Sequence, residues 1–167
     1  NYLAKGSPYV PGHGGQNVPF ELAMALHSDA GYRTDQSIYG SLSISTTQDG
    51  DGRTSFASGL SRQASSDFAQ LLLEGVVADV SRSYNLSWTR REHWDRNYAE
   101  TRMPAVPSSI LEMLSHQNFT DMKYGHDPNF KFTLARSVYK SILRFVNFEH
   151  GIKSYQVQPL APHNFAT

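Results

Sequence analysis

No cysteine occurs among the 167 residues, which excludes disulfide staples, thiolate nucleophiles and sulfur-ligated metal centres. A metal site would have to be built from the seven histidines and the fifteen acidic side chains. Long apolar runs are missing as well. Nothing approaches the ~18 consecutive apolar residues that cross a bilayer, so no transmembrane segment is expected, and Asn1-Tyr-Leu-Ala-Lys-Gly6 lacks the apolar core of a secretory leader. Net charge is absent too: fifteen basic residues balance fifteen acidic ones, so nothing favours nucleic acid as a partner. What remains is a chain that is 39% hydrophobic, long enough for one domain with a sizeable core.

Along the chain, residues 1–19 are rich in glycine and proline and read as a loop or N-terminal extension. Residues 20–26 are apolar apart from Glu21 and predict a strand covered on both faces. A second strand is expected within residues 37–47, closed by the turn signal Gln48-Asp-Gly-Asp-Gly-Arg53. The period then changes. Ala64, Phe68, Leu71, Leu72, Val76 and Val80 recur at helical spacing. Residues 88–96, aromatic and charged without clear period, read as loop or irregular helix, with Trp88 and Trp94 packing around it. The strand carrying Glu112 follows, within the run Thr101 to Asn118. Asn118 then caps a short helix, and Asp127-Pro128 opens a last helix whose buried stripe is Phe130, Leu134, Val138, Ile142 and Phe145 or Val146. Gly151 ends it. Residues 20–150 therefore form an α/β domain, a mostly parallel twisted sheet with helices on both faces. Residues 151–167 read as a linker or the start of a following domain.

Two residues interrupt apolar runs in a way that calls for chemistry. Glu112 sits between Leu111 and Met113, and a carboxylate is costly to bury without a partner or a metal. His27 ends the apolar run Leu22-Ala-Met-Ala-Leu26, and the carboxyl ends of strands in open α/β sheets are where sites are built. Each also has a structural reading: His27 as a hydrogen-bonded strand cap, Glu112 as the partner of Arg33, Arg62 or Arg102. His93, His126, His150 and His163 read as surface or cap residues.

Four consecutive pieces resemble the zinc-dependent N-acetylmuramoyl-L-alanine amidases, which cut the peptide stem from the glycan of bacterial peptidoglycan. Ala25-Leu-His-Ser-Asp-Ala30 is similar to the strand end that carries the last zinc histidine. Ser61-Arg-Gln-Ala-Ser-Ser-Asp-Phe-Ala69 is similar to the start of the next helix. Met103-Pro-Ala-Val106 with Leu111-Glu-Met-Leu-Ser-His-Gln-Asn-Phe-Thr-Asp121 resembles the strand with the catalytic glutamate, and Phe132-Thr-Leu-Ala-Arg-Ser-Val-Tyr-Lys-Ser-Ile142 the closing helix.

The resemblance implies Glu112 as catalytic base and His27 as a zinc ligand. His13, in Gly12-His-Gly-Gly15, is a second candidate ligand, while Asp29 and His116 are candidates to bind substrate or orient the site. Glu21 does not qualify. Six strand residues at ~3.3 Å each put it ~20 Å from His27. The resemblance further implies a Zn2+ cofactor, a peptidoglycan or muropeptide substrate and a place in the periplasm, on the cell surface or outside the cell. The fold's opening strand and helix have no counterpart here, so the site would be completed by residues outside this chain, with an N-terminal fragment or another copy completing the sheet. A non-catalytic amidase-like module, binding glycan or peptide or spacing other domains, is the alternative.

Overall fold

A computed structural model describes residues 12–157. Among them the elements run β1 (Ala23–Asp29), β2 (Ser41–Ser45), α1 (Gln63–Tyr84), β3 (Arg90–Asp95), α2 (Ala99–Arg102), β4 (Ser108–Ser115), α3 (Phe119–Gly125) and α4 (Pro128–Glu149). The strands form one sheet in the order β1-β4-β2-β3. β1 runs parallel to β4 and β2 parallel to β3, while β2 and β4 are antiparallel.

The long helices form where the apolar residues recur. Ala64, Phe68, Leu72, Val76 and Val80 of α1 meet Phe130, Leu134, Val138 and Phe145 of α4 in a core that also takes in Trp88, Leu111 and Leu114. Each large apolar side chain removed from water here contributes about 1.5–3 kcal/mol. α1 lies against β2, β3 and β4, and α4 packs along α1. The opposite face carries a smaller cluster of Leu42, Ile44 and Ile110 with Ala25 and Trp94. Among the described residues its one helix is α2, a single turn that touches β1, β2 and β4. Helices therefore occupy both faces, but unequally, and the thinly covered face is the one that carries Glu112.

The caps follow the sequence signals. Asn118 accepts a hydrogen bond from the Asp121 amide at 2.9 Å, Asp127 accepts from the Asn129 amide with Pro128 in the first turn of α4, and Gly151 takes a positive φ of 67° just past the helix end.

β2 is buried at every residue. Its serines and aliphatics alternate between the two faces: Ser41 donates to the Met113 carbonyl and accepts from the Trp88 indole, Ser43 and Ser45 bond to His93, and Leu42 and Ile44 join the opposite cluster. Trp88 is therefore core, edge-on to Tyr124 at 5.6 Å.

Three sequence expectations change. β1 begins at Ala23, not at residue 20, and is not covered on both sides: it is an edge of the sheet described and Leu26 is 51% exposed. Residues 90–95 form strand β3, which pairs with β2 and supplies Trp94 to one face and His93 to the other. His93 is accordingly not a surface residue. It is half-buried among Ser43, Ser45 and Ser66. Residues 1–11 and 158–167, which include most of the expected linker and His163, lie outside the described residues.

Candidate functional site

β1 and β4 run side by side in register Ala25↔Ile110, Leu26↔Leu111, His27↔Glu112. Directly paired residues of parallel strands point to the same face, so both runs deliver their one polar group to a common point. His27 Nδ1 lies 3.6 Å from Glu112 Oε1. The Glu112 side chain is only 14% exposed, and its Oε2 is sealed from solvent with no hydrogen-bond partner. Among the described residues no arginine pairs with it: Arg62 is engaged with Asp49 and the Arg102 carbonyl, and Arg33 with Ser37. Burial pushes the Glu112 carboxyl above its ordinary pKa. His27 pulls it partly back, Asp29 raises it further, and Arg91 and His116 lower it.

The surrounding residues are held from several elements. Asp29 closes β1, accepts from the Ala30 amide and pairs with Arg91 of β3 at 2.5 Å, while the Arg91 guanidinium stacks on Tyr39 at 4.0 Å. Both oxygens of Asp29 are thus used in fixing the loop after β1. His116, one residue past β4, lies with Nδ1 at 3.1 Å from Ser28 Oγ. Asp121 anchors the same end of the sheet by accepting from the Tyr39, Gly40 and Ser115 amides.

His13 is exposed in an irregular stretch and makes no contact with His27 or Glu112 among those the structure records. Glu21 is bound to His150 at 2.9 Å, away from the site. The residue that sequence reasoning missed is Glu100 of α2, whose Oε1 stands 3.5 Å from His27 Nε2. No spacing signal marks it, because it sits on a four-residue helix far along the chain from His27.

Zinc takes imidazole nitrogen and carboxylate oxygen as ligands. The donor chemistry of His27 beside a buried, unpartnered Glu112 oxygen fits the surroundings of such an ion. The set is partial: among the described residues no group of three or more histidine and acidic side chains converges on one metal position. Two hollows have other linings. One of about 490 Å³ is lined by Asp49, Arg53, Phe56, Arg62 and Arg102, and an apolar one of about 410 Å³ by Ser28, Met113, His116, Met122 and Phe130; neither contains His27 or Glu112.

This sheet, with its helices in this order, is the catalytic-domain fold of the N-acetylmuramoyl-L-alanine amidases. The chain is similar to the CwlD amidase of Clostridioides difficile, solved in complex with the GerS lipoprotein (TM-score 0.59, 16% identity, 79% of this chain and 57% of that one). It is also similar to the amidase AmiC2 of Nostoc punctiforme (0.58, 9%, 76% and 58%) and to Ami1 of Mycobacterium smegmatis (0.56, 15%, 77% and 55%). The chain thus spans little more than half the length of these amidases. No family profile matches the sequence, and no curated protein matches it.

Proposed function

We propose that this chain is the C-terminal portion of a zinc-dependent amidase that hydrolyses the bond between N-acetylmuramic acid and L-alanine in peptidoglycan. The observation that carries the reading is the pairing of His27 with a buried Glu112 on adjacent parallel strands, in the fold of the peptidoglycan amidases. His27 would be a zinc ligand. Zinc, when bound, polarises the scissile carbonyl and brings the pKa of a water toward ~7. Glu112 takes the proton of the attacking water and delivers it to the leaving amide nitrogen. Burial raises its pKa, the direction that favours its return of the proton as an acid.

The remaining ligands, and a strand beside β1, which is an edge among the described residues, come in this reading from polypeptide beyond residues 12–157 or from a second copy. Asp29 and His116 shape the loop and the end of the crevice. The substrate sets the compartment as the cell envelope or its exterior, and no helix among the described residues is long and apolar enough to cross a membrane.

The test is muropeptide cleavage by the intact protein. Glu112→Gln should lower kcat by ~10²–10⁴ while zinc content stays at wild-type level, and chelation should abolish turnover in the wild type. Unchanged turnover in Glu112→Gln would assign the base elsewhere. One observation favours the alternative of a non-catalytic module that binds glycan or peptide, or acts as a spacer: the lack of a three-ligand group among the described residues. Intact protein free of zinc and inert to muropeptides would establish that alternative.

A further inference from the structure

Apart from His27 and Glu112, the hollow of about 490 Å³ has in its wall a buried charge that its neighbours answer only in part. The Arg62 side chain is 7% exposed. Its Nη2 reaches Asp49 Oδ2 at 3.4 Å and the Arg102 carbonyl at 3.2 Å, while Nε and Nη1, closed off from solvent, have no hydrogen-bond partner among the described residues. Phe56 covers the guanidinium at 4.5 Å. Asp49 is a weak counter-charge for it, because the same Oδ2 is taken at 2.9 Å by Arg53 Nε and Oδ1 accepts the Asp51 and Arg53 amides. An ionised group buried with open donors is costly, and an anion in the adjoining space offsets that cost.

Resting on the amidase reading, we propose that this hollow binds a peptide carboxylate: the free carboxyl end of the stem whose amine end is released at Glu112. Arg102, exposed in the same lining, enters no side-chain hydrogen bond or ion pair among those the structure records, and it meets the carboxylate directly. Arg62 supplies charge from the wall. Asp51 competes little, since Arg53 Nη2 holds it at 2.6 Å. Three guanidinium groups against two carboxylates leave the lining one positive charge, which suits a carboxylate better than the near-dianionic phosphate. Phe56, Ala57, Pro104 and Ala105 make the rest of the wall apolar, as a small apolar residue beside the carboxylate requires. The placement fits as well. Glu100 of α2 stands 3.5 Å from His27, and Arg102 ends the same short helix. Ala105 precedes Glu112 by seven residues, at most ~25 Å of chain at full extension, so a stem of several residues can span from the scissile bond to the hollow.

Calorimetric titration of the intact protein with tetra-alanine, as the free acid and as the C-terminal amide, tests the site. The free acid should bind about 10–100-fold more tightly than the amide, and Arg102→Ala should remove that preference. Arg62→Gln should do the same where it folds; Arg102→Ala, at an exposed position, keeps the test decisive where it does not. Inorganic phosphate should displace the acid only weakly. Equal binding of acid and amide, no binding of either, a preference that survives Arg102→Ala, or phosphate binding more tightly than the acid overturns the carboxylate site. Muropeptides with free and amidated stem ends separate this proposal from the reading it rests on. Cleavage with a higher KM for the amidated stem supports both, and cleavage with equal KM values overturns the site alone. Acid-selective binding by a protein that holds no zinc and cleaves no muropeptide overturns the amidase reading alone.

Discussion

Glu112 stands as the direct cross-strand partner of His27, with one carboxylate oxygen facing the imidazole and the other buried without a hydrogen bond. A buried acid in this state opposes folding once ionised. Its folded pKa is raised above the unfolded value by burial, so the native state binds the extra proton and stability falls as pH rises from the unfolded pKa through the folded one. Glu112→Gln removes that penalty. The metal-free variant should therefore be more stable than wild type at pH 7, with the difference vanishing as pH falls below the carboxyl pKa of the unfolded chain. Thermal melts at pH 7 and below that pKa check it, and a variant less stable at pH 7 would contradict the electrostatic account.

His93 predicts the opposite pH behaviour. Its ring is wedged among Ser43, Ser45 and Ser66, and burial lowers its pKa, with Asp95 opposing and Arg90 assisting. For a histidine with a depressed folded pKa, stability is fully present above the unfolded value of ~6.5 and is lost as pH falls through the folded one. Denaturant unfolding between pH 7.5 and 5 should show a decline that is shallower in His93→Gln. Identical slopes would mean that the ring stays neutral or is paired when charged.

Asp121 joins three segments at the end of the sheet that bears the site. It accepts the Tyr39 and Gly40 amides before β2 and the Ser115 amide at the end of β4. Asp121→Ala leaves three backbone donors without their partner, at a cost of roughly 3 kcal/mol or more. The loop at residues 36–40 should lose amide-exchange protection first. Uniform loss across the sheet would show that the anchor is global.

Gly75 of α1 faces Ser141 of α4. A Cβ there would lie 2.5 Å from Ser141 Oγ and 3.9 Å from Ser141 Cβ, so Gly75→Ala should cost about 1–3 kcal/mol by overpacking despite the better helix propensity of alanine. Removing the obstructing hydroxyl should reverse the sign. The double variant Gly75→Ala with Ser141→Ala is expected to melt above Gly75→Ala alone, and a double variant no more stable would place the clash elsewhere.

The helices were legible because their buried faces repeat at 3.6 residues and their ends carry local chemistry: the stripe from Ala64 to Val80, and the caps at Asn118 and Asp127, need no tertiary information. His27 and Glu112 were legible for a related reason, as single polar groups in apolar runs. β3 was not. Arg90-Arg-Glu-His-Trp-Asp95 shows no clean alternation, because His93 is a polar residue facing inward to serines while Arg91 spends its charge on Asp29 and its plane on Tyr39. Glu100 escaped for want of any local pattern, since only the folding of α2 over the sheet brings it to His27. The expected two-sided cover of β1 failed because composition reports apolarity and not which strands flank a strand.

The serines of β2 have a consequence for how faithfully the chain folds. A slip of one residue exchanges the faces of a strand. In most buried strands such a slip trades one aliphatic for another and is weakly penalised. Here it would carry Leu42 and Ile44 into the space shaped for hydroxyls around Trp88, His93 and Met113, and would strand Ser41, Ser43 and Ser45 among aliphatics. The central strand thus works as a proofreading element: only one alignment satisfies both its bonds and its packing, and that alignment sets Leu42 opposite Glu112.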